Sequence, residues 1–86
     1  MVRLDVHNFF LKDAIEEIMV KFDECAELGD NSLEIVHGHK HGSAIRDYIR
    51  SQGFLKDAFR NGHEIVGKNF SAKGATKFQL APTKKY

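Results

Sequence analysis

Two short stretches hold the residue types that could do chemistry. Asp5 and His7 stand two apart in Arg3-Leu4-Asp5-Val6-His7, the spacing at which a strand presents both side chains on one face. A carboxylate beside an imidazole can orient the ring, fix its tautomer or hold a divalent cation such as Mg, while the ring works as general acid or base. The second stretch, His37-Gly38-His39-Lys40-His41-Gly42-Ser43, puts three imidazoles, a lysine and two glycines directly ahead of Ala44-Ile45-Arg46-Asp47-Tyr48-Ile49-Arg50. Gly38 and Gly42 let backbone N–H groups turn toward a ligand, Ser43 suits a helix N-cap, and the helix dipole adds partial positive charge. Lys40 and Arg46 add full charges, so the stretch reads as a phosphate site, with nucleic acid the expected source. An ordinary βα turn with a good cap has the same spacing, and Asp5 and His7 could equally hydrogen-bond each other for structure alone.

His37 is the natural second imidazole of such a site. His37, His39 and His41 alternate as metal ligands on a strand would, but the glycines bend the backbone and no cysteine pair assists, so a dedicated metal site is not expected. Protonated histidines that strengthen phosphate binding in mild acid fit the stretch better. Phe9 and Phe10 offer a stacking surface for unpaired bases or a staple for the following helix. At least one of them is expected to be buried.

These residues need elements to position them. Leu4 and Val6 alternate with Asp5 and His7 as a first strand requires. Leu11, Ile15, Ile18, Phe22 and Cys25 recur at helical spacing up to Leu28, with Gly29 as the stop. Ser32 to Val36 reads as a second strand and Ala44 to about Gln52 as a second helix that Gly53 breaks. Phe54 to Phe59 adds a short helical turn, and Asn61-Gly62 reverses the chain. His63 to Lys68 and Thr76 to Ala81 read as two more strands around a loop at Ser71-Ala72-Lys73-Gly74. The expectation is βαβαββ: an α/β two-layer sandwich with two helices on a mixed four-stranded sheet. A strand-helix-strand unit crosses over right-handed between parallel strands. His7 and His37 should therefore meet at one sheet edge, outside the carboxyl ends of the strands, where ligands of open α/β sheets bind.

The 86 residues are expected to make one domain over 1–82 with a flexible basic tail at 83–86. A composition of 42% hydrophobic and 29% charged residues is that of a globular chain. No stretch approaches the roughly 20 apolar residues of a membrane span and no signal-peptide pattern opens the chain, so a cytoplasmic protein without a membrane partner is expected. Cys25 stands alone, which leaves no internal disulfide. The net charge of +1 conceals polarity: residues 1–34 hold nine acids against Arg3, Lys12 and Lys21, whereas residues 35–86 hold ten Lys and Arg against Asp47, Asp57 and Glu64. One basic face toward a polyanion is the functional reading of that imbalance.

Leu4-Asp5-Val6-His7, His37-Gly38, Ile45-Arg46, Gly74-Ala75-Thr76 and Leu80 together resemble the Smr, or small MutS-related, domain. That family carries Leu-Asp-x-His at its first strand and a His-Gly-x-Gly turn leading into a Leu-Arg helix. The resemblance implies an α/β sandwich similar to the C-terminal domain of bacterial translation initiation factor three, DNA or RNA as partner, and in several members endonuclease activity. Taken with the residue reading, it puts catalysis on Asp5, His7 and His37, and phosphate binding on Gly38, His39, Lys40, His41, Gly42, Ser43, Arg46 and Lys73. The implied function is nicking of DNA or cleavage of RNA. A non-catalytic binding module that recruits another factor is the alternative. Asn8 replaces the usual glycine, Phe10 replaces the usual helix cap, and the turn lacks its middle glycine and reaches Arg46 one residue late.

Overall fold

The computed structural model describes residues 1–38 and 44–81; His39, Lys40, His41, Gly42, Ser43 and the proposed tail lie outside the described residues. The chain runs β1 (Val2–Asp5), α1 (Leu11–Leu28), β2 (Ser32–Val36), α2 (Ala44–Ile49), α3 (Gln52–Arg60), β3 (Ile65–Asn69) and β4 (Ala75–Leu80). The sheet order is β1-β2-β4-β3, with β1 parallel to β2 and the other neighbours antiparallel. This is a mixed four-stranded α/β fold, with the parallel β1–β2 crossover that the sequence implies.

Alternation decides which face of the sheet is covered. Leu4, Leu33, Ile35, Phe78 and Leu80 share one core with Ala14, Ile18, Phe22, Ile49, Phe54 and Ala58 of the helices. Arg3, Lys77 and Gln79, one residue out of phase, are exposed. α1 puts Ala14, Ile18, Phe22 and Cys25 into that core at spacings of three and four. Gly29 ends the helix in the left-handed conformation at φ 72°, and its N–H and that of Asp30 turn back to Ala26 and Cys25 carbonyls.

The second half of the helical layer differs from the sequence expectation. Three helices are present, because the chain breaks at Arg50 and Ser51 rather than at Gly53. The Ser51 hydroxyl accepts the Phe54 N–H at 3.4 Å and so starts α3, which runs through Gly53 to Arg60 and buries Phe54 and Ala58. The supposed short turn is therefore a nine-residue helix. Phe54 closes an aromatic centre with Phe22 and Phe78, whose centroids lie 6.0 and 5.2 Å from its own. Phe22 also meets the buried His63 ring at 5.5 Å, and His63 Nε2 reaches Asp23 Oδ1 at 2.7 Å.

Phe22 touches α3, β4 and the turn before β3, and it is fully buried. Phe22→Ala should cost about 3–5 kcal/mol, the range of a large aromatic lost from a core. Urea titration followed by circular dichroism should show the midpoint falling steeply. A midpoint within experimental error of the parent would show that the core is not organised around this ring.

Candidate functional site

The parallel pairing of β1 with β2 sets Asp5 opposite Val36, and Val6 N–H donates to the Val36 carbonyl at 2.9 Å. Both strands therefore end together, and His7 stands against Gly38. A Cβ added to Gly38 would lie 3.3 Å from His7 Cβ, and its φ of +76° favours glycine independently. His7, Phe9, Phe10, Leu11, His37, Ala44 and Ile45 line a cleft of about 200 Å³ at this edge. The shared location of His7 and His37 is thus as the crossover requires.

Asp5 and His7 form a pair. Asp5 Oδ1 accepts the backbone N–H of His7 at 3.0 Å and also meets His7 Nδ1. The backbone hydrogen bond first, and then the imidazole, hold the Asp5 carboxyl below the usual carboxylate range. An ionised carboxylate only accepts, so the hydrogen sits on Nδ1, and His7 Nε2, without a partner among the described residues, can accept from a ligand. Both side chains are about half exposed, at 54% for Asp5 and 50% for His7. Among the described residues no three His, Cys, Asp or Glu side chains converge as a metal site.

His37 reaches the same cleft in a different state. It is only 4% exposed, and both ring nitrogens are occupied: Nδ1 bonds the Gly38 carbonyl at 2.8 Å and Nε2 bonds Thr76 Oγ1 at 2.9 Å. Arg50 Nε–H donates to that same Thr76 oxygen at 2.9 Å. The directions follow from the groups themselves. A carbonyl only accepts, so Nδ1 carries the hydrogen; in the neutral ring Nε2 then accepts, and the Thr76 hydroxyl donates to it. With His37 neutral, the buried Thr76 hydroxyl has Nε2 as its acceptor. Burial, with a smaller push from the Arg50 and Arg46 charges, lowers the His37 pKa against the opposing effect of the Gly38 carbonyl.

The same residues clip the last loop to the site. His37 and Gly38 N–H groups both donate to the Gly74 carbonyl at 3.0 Å. Arg50 Nη2 donates to the carbonyls of Ala72 at 2.9 Å and Ala75 at 3.2 Å, with its guanidinium 4.9 Å from the Phe70 centroid. Lys73 is exposed on the loop so held. Arg46 is half-buried and donates Nε–H and Nη2–H to Asp47 Oδ1, each at 3.2 Å. Arg50 is the residue the sequence reading passed over. Its available signal was the i+4 spacing from Arg46, which puts both on one helix face.

His37 should make folding stability depend on pH. Its unfolded value lies near 6.5 and its folded value below that, so in mild acid the unfolded chain binds more protons than the native one. The contribution is fully present above pH 6.5 and is lost as pH falls from there through the folded value. The melting temperature of the parent should drop across this window. His37→Gln, which cannot titrate, should start lower at neutral pH and show a shallower dependence. Equal slopes in the two proteins would assign the effect elsewhere.

No curated protein matches the chain. The fold is similar to the crystal structure of the Smr domain of Thermus thermophilus MutS2, with a TM-score of 0.75 and 23% identity, over 95% of this chain and 100% of that one. The family model of the Smr domain matches residues 4–76. That span opens on β1, which bears Asp5 and leads into His7, and closes on Thr76, the partner of His37, and the chain belongs to the Smr domain family.

Proposed function

We propose that this domain binds DNA or RNA across the β1–β2 edge and hydrolyses a phosphodiester there as an endonuclease. The family is one associated with nucleic-acid binding and nicking. The observation that carries the catalytic part is the Asp5–His7 pair, whose Nδ1–H is committed to a carboxylate while Nε2 remains for the substrate. Nε2 takes the proton of the attacking water as its oxygen bonds phosphorus. The P–O bond to the leaving sugar oxygen breaks, and the proton is returned to that oxygen. Asp5 supports the imidazolium between the two steps.

His37 takes a positioning role in this reading. Neutral and bonded on both nitrogens, it holds the Gly38 turn beside His7 rather than exchanging protons itself. Arg46 and Lys73, together with the 39–43 stretch of the sequence, supply charge for the phosphates. A divalent cation such as Mg would find the Asp5 carboxylate as its protein ligand and phosphate oxygens as the rest.

Asp5→Asn preserves size and removes the charge. Cleavage of supercoiled plasmid and of structured RNA, with and without Mg, should fall by something like the 10²–10⁴ of an acid–base group, with affinity kept or slightly raised. No turnover in the parent on either substrate, with binding intact, would leave the recruiting module as the function. Arg46→Ala and Lys73→Ala should each weaken binding and lower the slope of log affinity against log salt by about one. Unchanged slopes in both variants would remove these two residues from the interface.

A further inference from the structure

Phe9 and Phe10 are placed against the needs of the fold. Both are exposed, Phe10 at 83% and Phe9 at 41%, which corrects the expectation that one of them is buried. Phe10 occupies the N-cap of α1: its carbonyl accepts the Ala14 N–H at 2.9 Å, but its side chain makes no cap bond. Ser, Thr, Asp or Asn would satisfy a first-turn amide here. Phenylalanine cannot, and it leaves most of an apolar ring in water as well. Phe10 therefore serves the native chain neither by capping nor by burial, and its ring is available to a ligand at the cleft.

The surroundings indicate what that is. Both rings border the cleft that contains His7, and Leu11, Ala44 and Ile45 line it beside them. The lining is thus apolar at Phe9, Phe10, Leu11, Ala44 and Ile45 and carries imidazoles at His7 and His37. A nucleotide has the same division, a π-faced base joined to a phosphate ester. We infer that Phe9 and Phe10 form a stacking platform for an unpaired nucleobase next to the phosphate at His7, so that the domain selects unpaired over fully paired nucleic acid. This rests on the nucleic-acid reading given above. Inside a duplex both faces of each base are already stacked, so the platform gains nothing from internal paired bases. Because every base has a π-face, the platform does not separate DNA from RNA.

The test is fluorescence anisotropy with short single-stranded DNA and RNA oligonucleotides and with a blunt duplex of the same sequence. A 2-aminopurine probe in the single strands reads stacking directly. The parent should prefer the single strands and quench the probe. Phe9→Ala and Phe10→Ala should each weaken single-strand binding by about ten- to hundredfold and relieve the quenching. Duplex affinity should not change, and Phe10→Tyr should behave as the parent. Phe10→Ser should lose the same affinity yet raise the melting temperature, because serine caps α1. A fall in melting temperature for Phe10→Ser would mark the ring as structural and overturn the inference. Equal losses on single strands and duplex, or none on either, would overturn it while the nucleic-acid reading stands. A parent that binds none of the three would overturn both.

Discussion

The structure depends on the direction of one hydrogen bond, from the Thr76 hydroxyl to His37 Nε2. Thr76 also accepts from Arg50, and His37 passes its other hydrogen to the Gly38 carbonyl. Three parts of the fold meet in this relay: the end of β2, the start of β4 and the joint between α2 and α3. Each donor has one acceptor, and reversing any member leaves a buried group unmatched, at about 1–3 kcal/mol. Arg50 extends the relay to the Ala72 and Ala75 carbonyls. The loop before β4 and the turn after β2 are consequently fixed as one unit, and the turn bearing Gly38 is held where His7 needs it.

Two imidazoles thus stand at one sheet edge under opposite constraints. His37 lies on the buried face in step with Leu33 and Ile35, where desolvation favours its neutral form. His7 lies past the end of β1, half exposed, with a carboxylate on Nδ1. One is suited to holding backbone in place and the other to exchanging a proton with a ligand. The difference comes from the groups around each ring, and the residue type alone does not distinguish the roles.

Much of this was legible in the chain, and the rest failed for identifiable reasons. The meeting of Asp5 and His7 with His37 and Gly38 follows from the parallel crossover, and α1 follows from its apolar spacing and Gly29. The burial of His37 was written in its i+2 step from Ile35, a signal outweighed by the attraction of three clustered histidines. Gly53 looked like a helix stop because glycine lowers propensity. The Ser51 cap and the burial of Phe54 offset that penalty and made a third helix. The role of Arg50 could not be read, because its partners Thr76, Ala72 and Ala75 lie more than twenty residues away and only the fold assembles them. At least one of Phe9 and Phe10 was expected to follow hydrophobicity inward, and a helix start at the rim of a cleft gave them no core to enter.

The polarity of the sequence gains a spatial meaning from the same contacts. The acids of the first half include Glu16, Glu17 and Glu27, exposed on α1 away from its core stripe. Lys68, Lys73 and Lys77 are exposed on the β3–β4 hairpin, whose loop Arg50 ties to the site. A polyanion approaching the domain is repelled along one helix and attracted along the hairpin. Because Gly74, next to Lys73, accepts from both His37 and Gly38, the backbone carrying that charge is set in a fixed relation to the turn beside His7. Long-range attraction and local chemistry are coupled through two backbone hydrogen bonds. A lysine on an untethered loop would contribute attraction alone, whereas the backbone of Lys73 is also held at a fixed place relative to His7.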